Sequence, residues 1–242
     1  MWISDFWKKL FSNDEVVIRI KKSSLSGFVL GFVFAAPIFI GASWLIGSGQ
    51  AKTTNEPSLA KTQEQKVDEA QPVNLEVKDN DYVLGNKNAK VILVLFTDLQ
   101  CPYCARHHKT IKALAEKYGN KIGIVFRHFP LSFHEFARTA ANAAECAGEQ
   151  GKFFEFVNKA FDNQANYSND FWQKLAKDLG INVSKFNKCL TDKKYDNKID
   201  ADMEEGSQAG VDGTPATFIN GKLISGAQPV EVFENEIDKL LK

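Results

Sequence analysis

Cys101-Pro102-Tyr103-Cys104 is a C-x-x-C unit. Two thiols at that spacing either open and close a disulfide or supply half of a zinc site. Redox work needs a thiolate, because thiolate is the species that attacks and leaves. The first residues of a helix favour it, since unpaired backbone N–H groups and the macrodipole both stabilise an anion there. Proline fits the first helical position without losing a hydrogen bond. Cys104, one turn on, lies within bonding range of Cys101. The spacing assigns Cys101 as the nucleophile that forms a mixed disulfide and Cys104 as the more buried, higher-pKa resolving thiol. A zinc site needs two further ligands, and no second C-x-x-C exists. His107 and His108 are read as helix-surface side chains, so no metal or other cofactor is expected.

The motif must sit where a strand gives way to a helix, and its surroundings supply both. Val91 to Phe96 is a continuous apolar run, the signature of a strand buried on both faces. After the cysteines, Ile111, Leu114, Ala115 and Tyr118 share one helical face, and Gly119-Asn120 ends it. Ile122 to Phe126 forms a second strand, which completes a βαβ unit with a parallel pair. Residues from about 134 to 210 carry only helical signals, with Ser168 as one N-cap. Strand character returns at Ala216–Ile219 and Lys222–Ser225, separated by Asn220-Gly221, a strong hairpin signal. A last amphipathic helix carries Val232, Phe233, Ile237, Leu240 and Leu241. The order βαβ, helical block, ββα predicts a two-layer α/β domain with a helical insertion.

Two stretches then carry a family resemblance. Phe96-Thr-Asp-Leu-Gln-Cys-Pro-Tyr-Cys104 is similar to the active-site strand and helix start of DsbA-like proteins of the thioredoxin superfamily. Val211-Asp-Gly-Thr-Pro-Ala-Thr-Phe-Ile-Asn-Gly221 resembles their cis-proline loop and hairpin. Cys146-Ala-Gly-Glu-Gln-Gly-Lys-Phe-Phe resembles part of their helical insertion. The resemblance spans residues 79–242 and implies a thioredoxin-like fold with an inserted helical domain. It implies cofactor-free exchange by Cys101 and Cys104, tuned by Pro102 and Tyr103. It also implies a cis bond at Pro215 and a Thr214 backbone that pairs with an extended substrate strand. Cys146 and Cys189 are read as a structural disulfide, the alternative being two buried small hydrophobes. Asp98 is read as a solvated turn residue, and His128 and His134 as packing or capping groups.

Thirty basic and thirty acidic side chains balance, and no basic cluster with interleaved aromatics appears in the globular part, which sets nucleic acid aside. Ser23 to Ala51 contains no charged residue. Its strongly apolar part is long enough to cross a hydrocarbon core of ~30 Å, and it exceeds a usual signal-peptide core. We therefore expect a cytoplasmic segment at 1–22, a transmembrane helix at 23–48 and a flexible linker at 49–78. In the first segment Trp2, Ile3, Phe6, Trp7, Leu10 and Phe11 line one face of a short interfacial helix. Lys8, Lys9, Arg19, Lys21 and Lys22 precede the span, which puts the catalytic domain outside the cytoplasm. The expected activity is oxidation of cysteines in exported proteins, with a quinone-linked membrane oxidase as recharging partner. Isomerase or reductase action on the same fold, or a non-enzymatic binding module, are the alternatives.

Overall fold

Val91–Thr97 becomes the central strand, β2, because its alternating side chains are wanted on both sides. Leu93 and Leu95 enter one apolar core, while Val94 and Phe96 enter a second on the opposite face. The computed structural model describes residues 72–242. The segments expected to be cytoplasmic, membrane-spanning and linking, as far as residue 71, lie outside the described residues. No helix among the described residues is long and apolar enough to cross a membrane.

The sheet runs β1(Tyr82–Gly85), β3(Ile122–His128), β2, β4(Ala216–Ile219), β5(Lys222–Ser225). β2 and β3 are parallel, joined by helix α1(Pro102–Tyr118), and the other pairs are antiparallel. Gly119 closes α1 at φ 52, a left-handed conformation that side chains resist. Asn220 and Gly221 both have positive φ, as a two-residue hairpin turn requires. The Asn220 side chain fixes that turn, accepting from Ile92 N at 2.8 Å and donating to Lys90 O at 3.0 Å.

Between β3 and β4 lie five helices: α2(Ala137–Gly148), α3(Phe153–Asp162), α4(Asn169–Asp178), α5(Val183–Thr191) and α6(Asp196–Gln208). Alanines 140, 143, 144 and 147 are buried along α2 and let its neighbours approach closely. Phe156, Trp172 and Phe186 fill the block, and Cys146 is bonded to Cys189 across α2 and α5, with Cα atoms 5.8 Å apart. The closing helix α7(Val230–Leu241) buries Phe233 and Ile237 beside α1, and Tyr118 Oη donates to Asp238 Oδ1 at 2.8 Å.

Three expectations are corrected. β1 is an additional strand, only four residues long and half-buried, so it lacks a readable alternation. The linker does not extend to residue 78. Val73, Leu75 and Val77 pack on the second core, Val73 N donates to Gly221 O at 3.0 Å, and Glu76 O accepts from the buried Arg127 at 2.5 Å. Polar spacers hid this strap, because only every second residue is apolar. Ser168 stands at the start of α4, but its side chain makes no capping hydrogen bond.

Candidate active site

Cys101 is the N-cap of α1 with an extended backbone (φ −69°, ψ 124°), and Pro102 occupies the first helical turn. The geometry follows from β2 ending at Thr97 and the chain turning through Asp98, where Cys101 N donates to Asp98 O at 3.1 Å. Both cysteines are free thiols and both are buried. Cys101 Sγ lies 3.5 Å from Thr214 O, so the Thr214 main chain sits beside the first sulfur. The Thr214–Pro215 bond is cis. The Thr214 hydroxyl is buried with no hydrogen-bond partner. Pro102 and Tyr103 are exposed at the tip, Tyr103 by 59%.

The two thiols are driven apart in acidity. Cys101 falls from 9.0 to about 6, chiefly because the Cys104 thiol donates to its anion. Burial opposes this, and the Cys104 backbone, Thr214 and the Tyr103 backbone add further hydrogen bonds. Cys104 is pushed far up, first by burial and then by donating that same proton to Cys101. Its sulfur also accepts from Asp98 N at 3.5 Å.

Three expectations about neighbouring residues change. Asp98 is buried, not solvated: Oδ1 accepts from Gln100 N at 2.7 Å, while Oδ2 accepts from Leu131 N at 2.9 Å and meets His134 Nδ1 at 2.7 Å. The carboxylate, with His134, thus clasps the loop after β3 to the turn that carries Cys101. His107 is a core residue, not a surface one, with Nε2 2.9 Å from Thr217 Oγ1. His108 is half-buried with Nε2 2.6 Å from Asn158 Oδ1. Burial lowers both ring pKa values to about 4, so neither carries charge to the thiolate at neutral pH. His128 Nε2 lies 3.0 Å from the buried Glu145 carboxylate, which Lys198 also meets at 3.1 Å.

The helical block reaches the site as well. Gln164 Nε2 donates to Leu99 O at 2.8 Å and Cys101 O at 3.0 Å, and Tyr167 Oη donates to Leu99 O at 2.9 Å. Nothing local in the sequence pointed to these supports, since the donors lie more than sixty residues away. Among the described residues no group of three or more His, Cys, Asp or Glu side chains is arranged to hold a metal ion.

The family model described as thioredoxin matches residues 77–239. This chain belongs to the thioredoxin family. Within it the chain is DsbA-like. It is similar to the thiol-disulfide exchange protein alpha-DsbA2 of Wolbachia pipientis, at 28% identity and a TM-score of 0.61 over 66% of this chain and 87% of that one. A Rickettsia felis protein, provisionally named a protein-disulfide oxidoreductase, is 32% identical over 83% of this chain and 75% of its own length. A Na(+)/H(+) antiporter NhaA 3 from Salinispora tropica is 32% identical over 63% of this chain. The chain spans about a quarter of such antiporters' length, 24% in that case.

Proposed function

We propose that this protein is a thiol–disulfide oxidoreductase of the cell envelope that donates its Cys101–Cys104 disulfide to cysteines of exported proteins. The observation that carries the reading is the split acidity of two sulfurs at the tip of α1, one beside the Thr214 main chain. A substrate thiolate attacks Cys101 Sγ of the disulfide. The Cys101–Cys104 bond breaks, and Cys104 leaves with the electron pair and takes up a proton. A second substrate thiolate attacks the substrate sulfur of the mixed disulfide and releases Cys101 as thiolate. Two substrate thiols are oxidised to a disulfide and the protein's disulfide is reduced to a dithiol. Thr214 offers its main chain to an extended substrate strand during the attack.

The direction follows from which redox form is favoured. Hydrogen bonds that hold Cys101 as an anion stabilise the dithiol form, and each unit of lowered pKa is worth about 1.4 kcal/mol, equivalent to ~30 mV. That makes the disulfide form the better electron acceptor, as an oxidase needs. The charge-free stretch 23–51 with its basic leader supports a single membrane anchor and a catalytic domain outside the cytoplasm. Recharging then falls to a membrane oxidase linked to quinone.

The deciding measurement is the reduction potential of the Cys101–Cys104 pair against glutathione, with reoxidation of reduced ribonuclease followed alongside. We expect a potential well above thioredoxin's ~−270 mV and loss of ribonuclease reoxidation in Cys101→Ser. A potential near thioredoxin's would make the protein a reductase. Reoxidation that survives Cys101→Ser would make it a binding module.

A further inference from the structure

Pro102, Arg106, Lys109 and Lys112 fall at i, i+4, i+7 and i+10 on α1, a single stripe that starts beside the nucleophile. This stripe does not enter the core. It forms one wall of a groove of about 630 Å³ whose other wall is α3 at Phe161 and Asp162. Three cations therefore face one carboxylate, in a chain whose total charge is zero. Arg106 is pinned at the mouth, with its guanidinium 5.2 Å from the centre of the Tyr103 ring and Nη2 donating to Ala227 O at 3.4 Å. Lys109 has no ion-pair partner among the described residues. His108, which also lines the groove, stays neutral at neutral pH, so the excess positive charge there belongs to arginine and lysine.

The groove has the reach of a peptide. Eleven residues of helix separate Cys101 from Lys112, ~16 Å at 1.5 Å each, and an extended chain covers that in about five residues. Spaced cations along one wall suit carboxylates on alternate or successive residues of such a chain.

We propose that the α1–α3 groove receives an acidic stretch flanking the substrate cysteine, so that the protein prefers exported chains whose cysteines lie next to Asp or Glu. The inference rests on the exchange reading above and adds a substrate class to it. A fixed positive groove raises the local concentration of such segments and speeds their encounter with Cys101.

The test uses the full-length oxidised protein and peptides with one cysteine, flanked on either side by glutamates or by glutamines. Mixed-disulfide formation is measured for each, divided by that peptide's rate with a small neutral disulfide. The division matters because acidic neighbours raise a thiol's own pKa and slow it elsewhere. The acidic peptide should lead by about tenfold at low ionic strength, and the lead should vanish near ~1 M salt. Lys109→Gln/Lys112→Gln should bring the ratio close to one, and Lys109→Arg/Lys112→Arg should keep it. Equal rates in the unaltered protein, or a ratio that survives the glutamine pair, overturns the groove proposal alone. A ratio of one together with anionic-vesicle binding that the glutamine pair abolishes assigns the groove to a membrane surface and also overturns it. Reaction with neither peptide removes the exchange reading and the groove proposal together.

Discussion

The Cys101 anion is held by hydrogen bonds rather than by a cation, since the neighbouring His107 and His108 are neutral and the first contribution comes from the Cys104 thiol. Removing a donor should therefore raise the thiol pKa directly. Thr214→Val deletes a buried hydroxyl that has no partner of its own and favours the thiolate form of either sulfur. It should move the Cys101 titration above about 6, as read from thiolate absorbance in the ultraviolet. The same shift couples to stability. The folded dithiol protein holds Cys101 ionised above about 6, whereas an unfolded thiol stays protonated until about 9.0. Between those values the unfolded state binds the extra proton, so stability of the dithiol form rises with pH and is lost as pH falls toward 6. The disulfide form has no such proton. The melting temperatures of the two forms should converge on acidification across that window, and a parallel pair of curves would contradict the assignment.

Three contacts between elements can each be removed by a small change. The Cys146–Cys189 bond closes a 43-residue separation between α2 and α5, for which chain entropy gives roughly 4 kcal/mol. Replacing both with alanine should lower the denaturant midpoint accordingly while leaving the Cys101–Cys104 potential in place. Asp98→Ala would orphan Gln100 N and Leu131 N and free His134, a loss of about 2–4 kcal/mol. It should also slow exchange, because the turn that carries Cys101 is one side of that clasp. On α6, a Cβ at Gly206 would lie 2.9 Å from the buried Phe96 ring and 3.0 Å from Phe129. Gly206→Ala should destabilise by about 1–2 kcal/mol even though alanine is the better helix former by ~1 kcal/mol.

Such contacts mark the boundary of what a sequence discloses. β2, α1, β3, the Asn220-Gly221 turn and α7 were legible, since periodicity and turn chemistry are local signals. Asp98 was misread for lack of a local clue. Its partners Leu131 and His134 are 33 and 36 residues away, and an aspartate at a strand end is ordinarily wet. His107 was misread because a polar residue on an apolar face looks exposed until Thr217 is brought to it.

At the scale of the molecule, the strap before β1 is part of the domain. Arg127 is wholly buried and meets Asp81 at 2.9 Å, Glu205 at 2.8 Å and the Glu76 carbonyl. A protein that begins at residue 79 would strip the apolar cover of Val73, Leu75 and Val77 and leave that guanidinium short of a partner. We expect it to be about 2–4 kcal/mol less stable than one beginning at residue 72, measurable by urea unfolding. The strap also sets a direction. Val73 joins the sheet at Gly221, level with Val91 at the start of β2, while Cys101 follows the far end of that strand, which closes at Thr97. Six strand steps separate them, ~20 Å. The chain thus enters the domain at one end of β2 and carries its two free sulfurs at the other, so the thiols and the point of entry occupy opposite ends of the sheet.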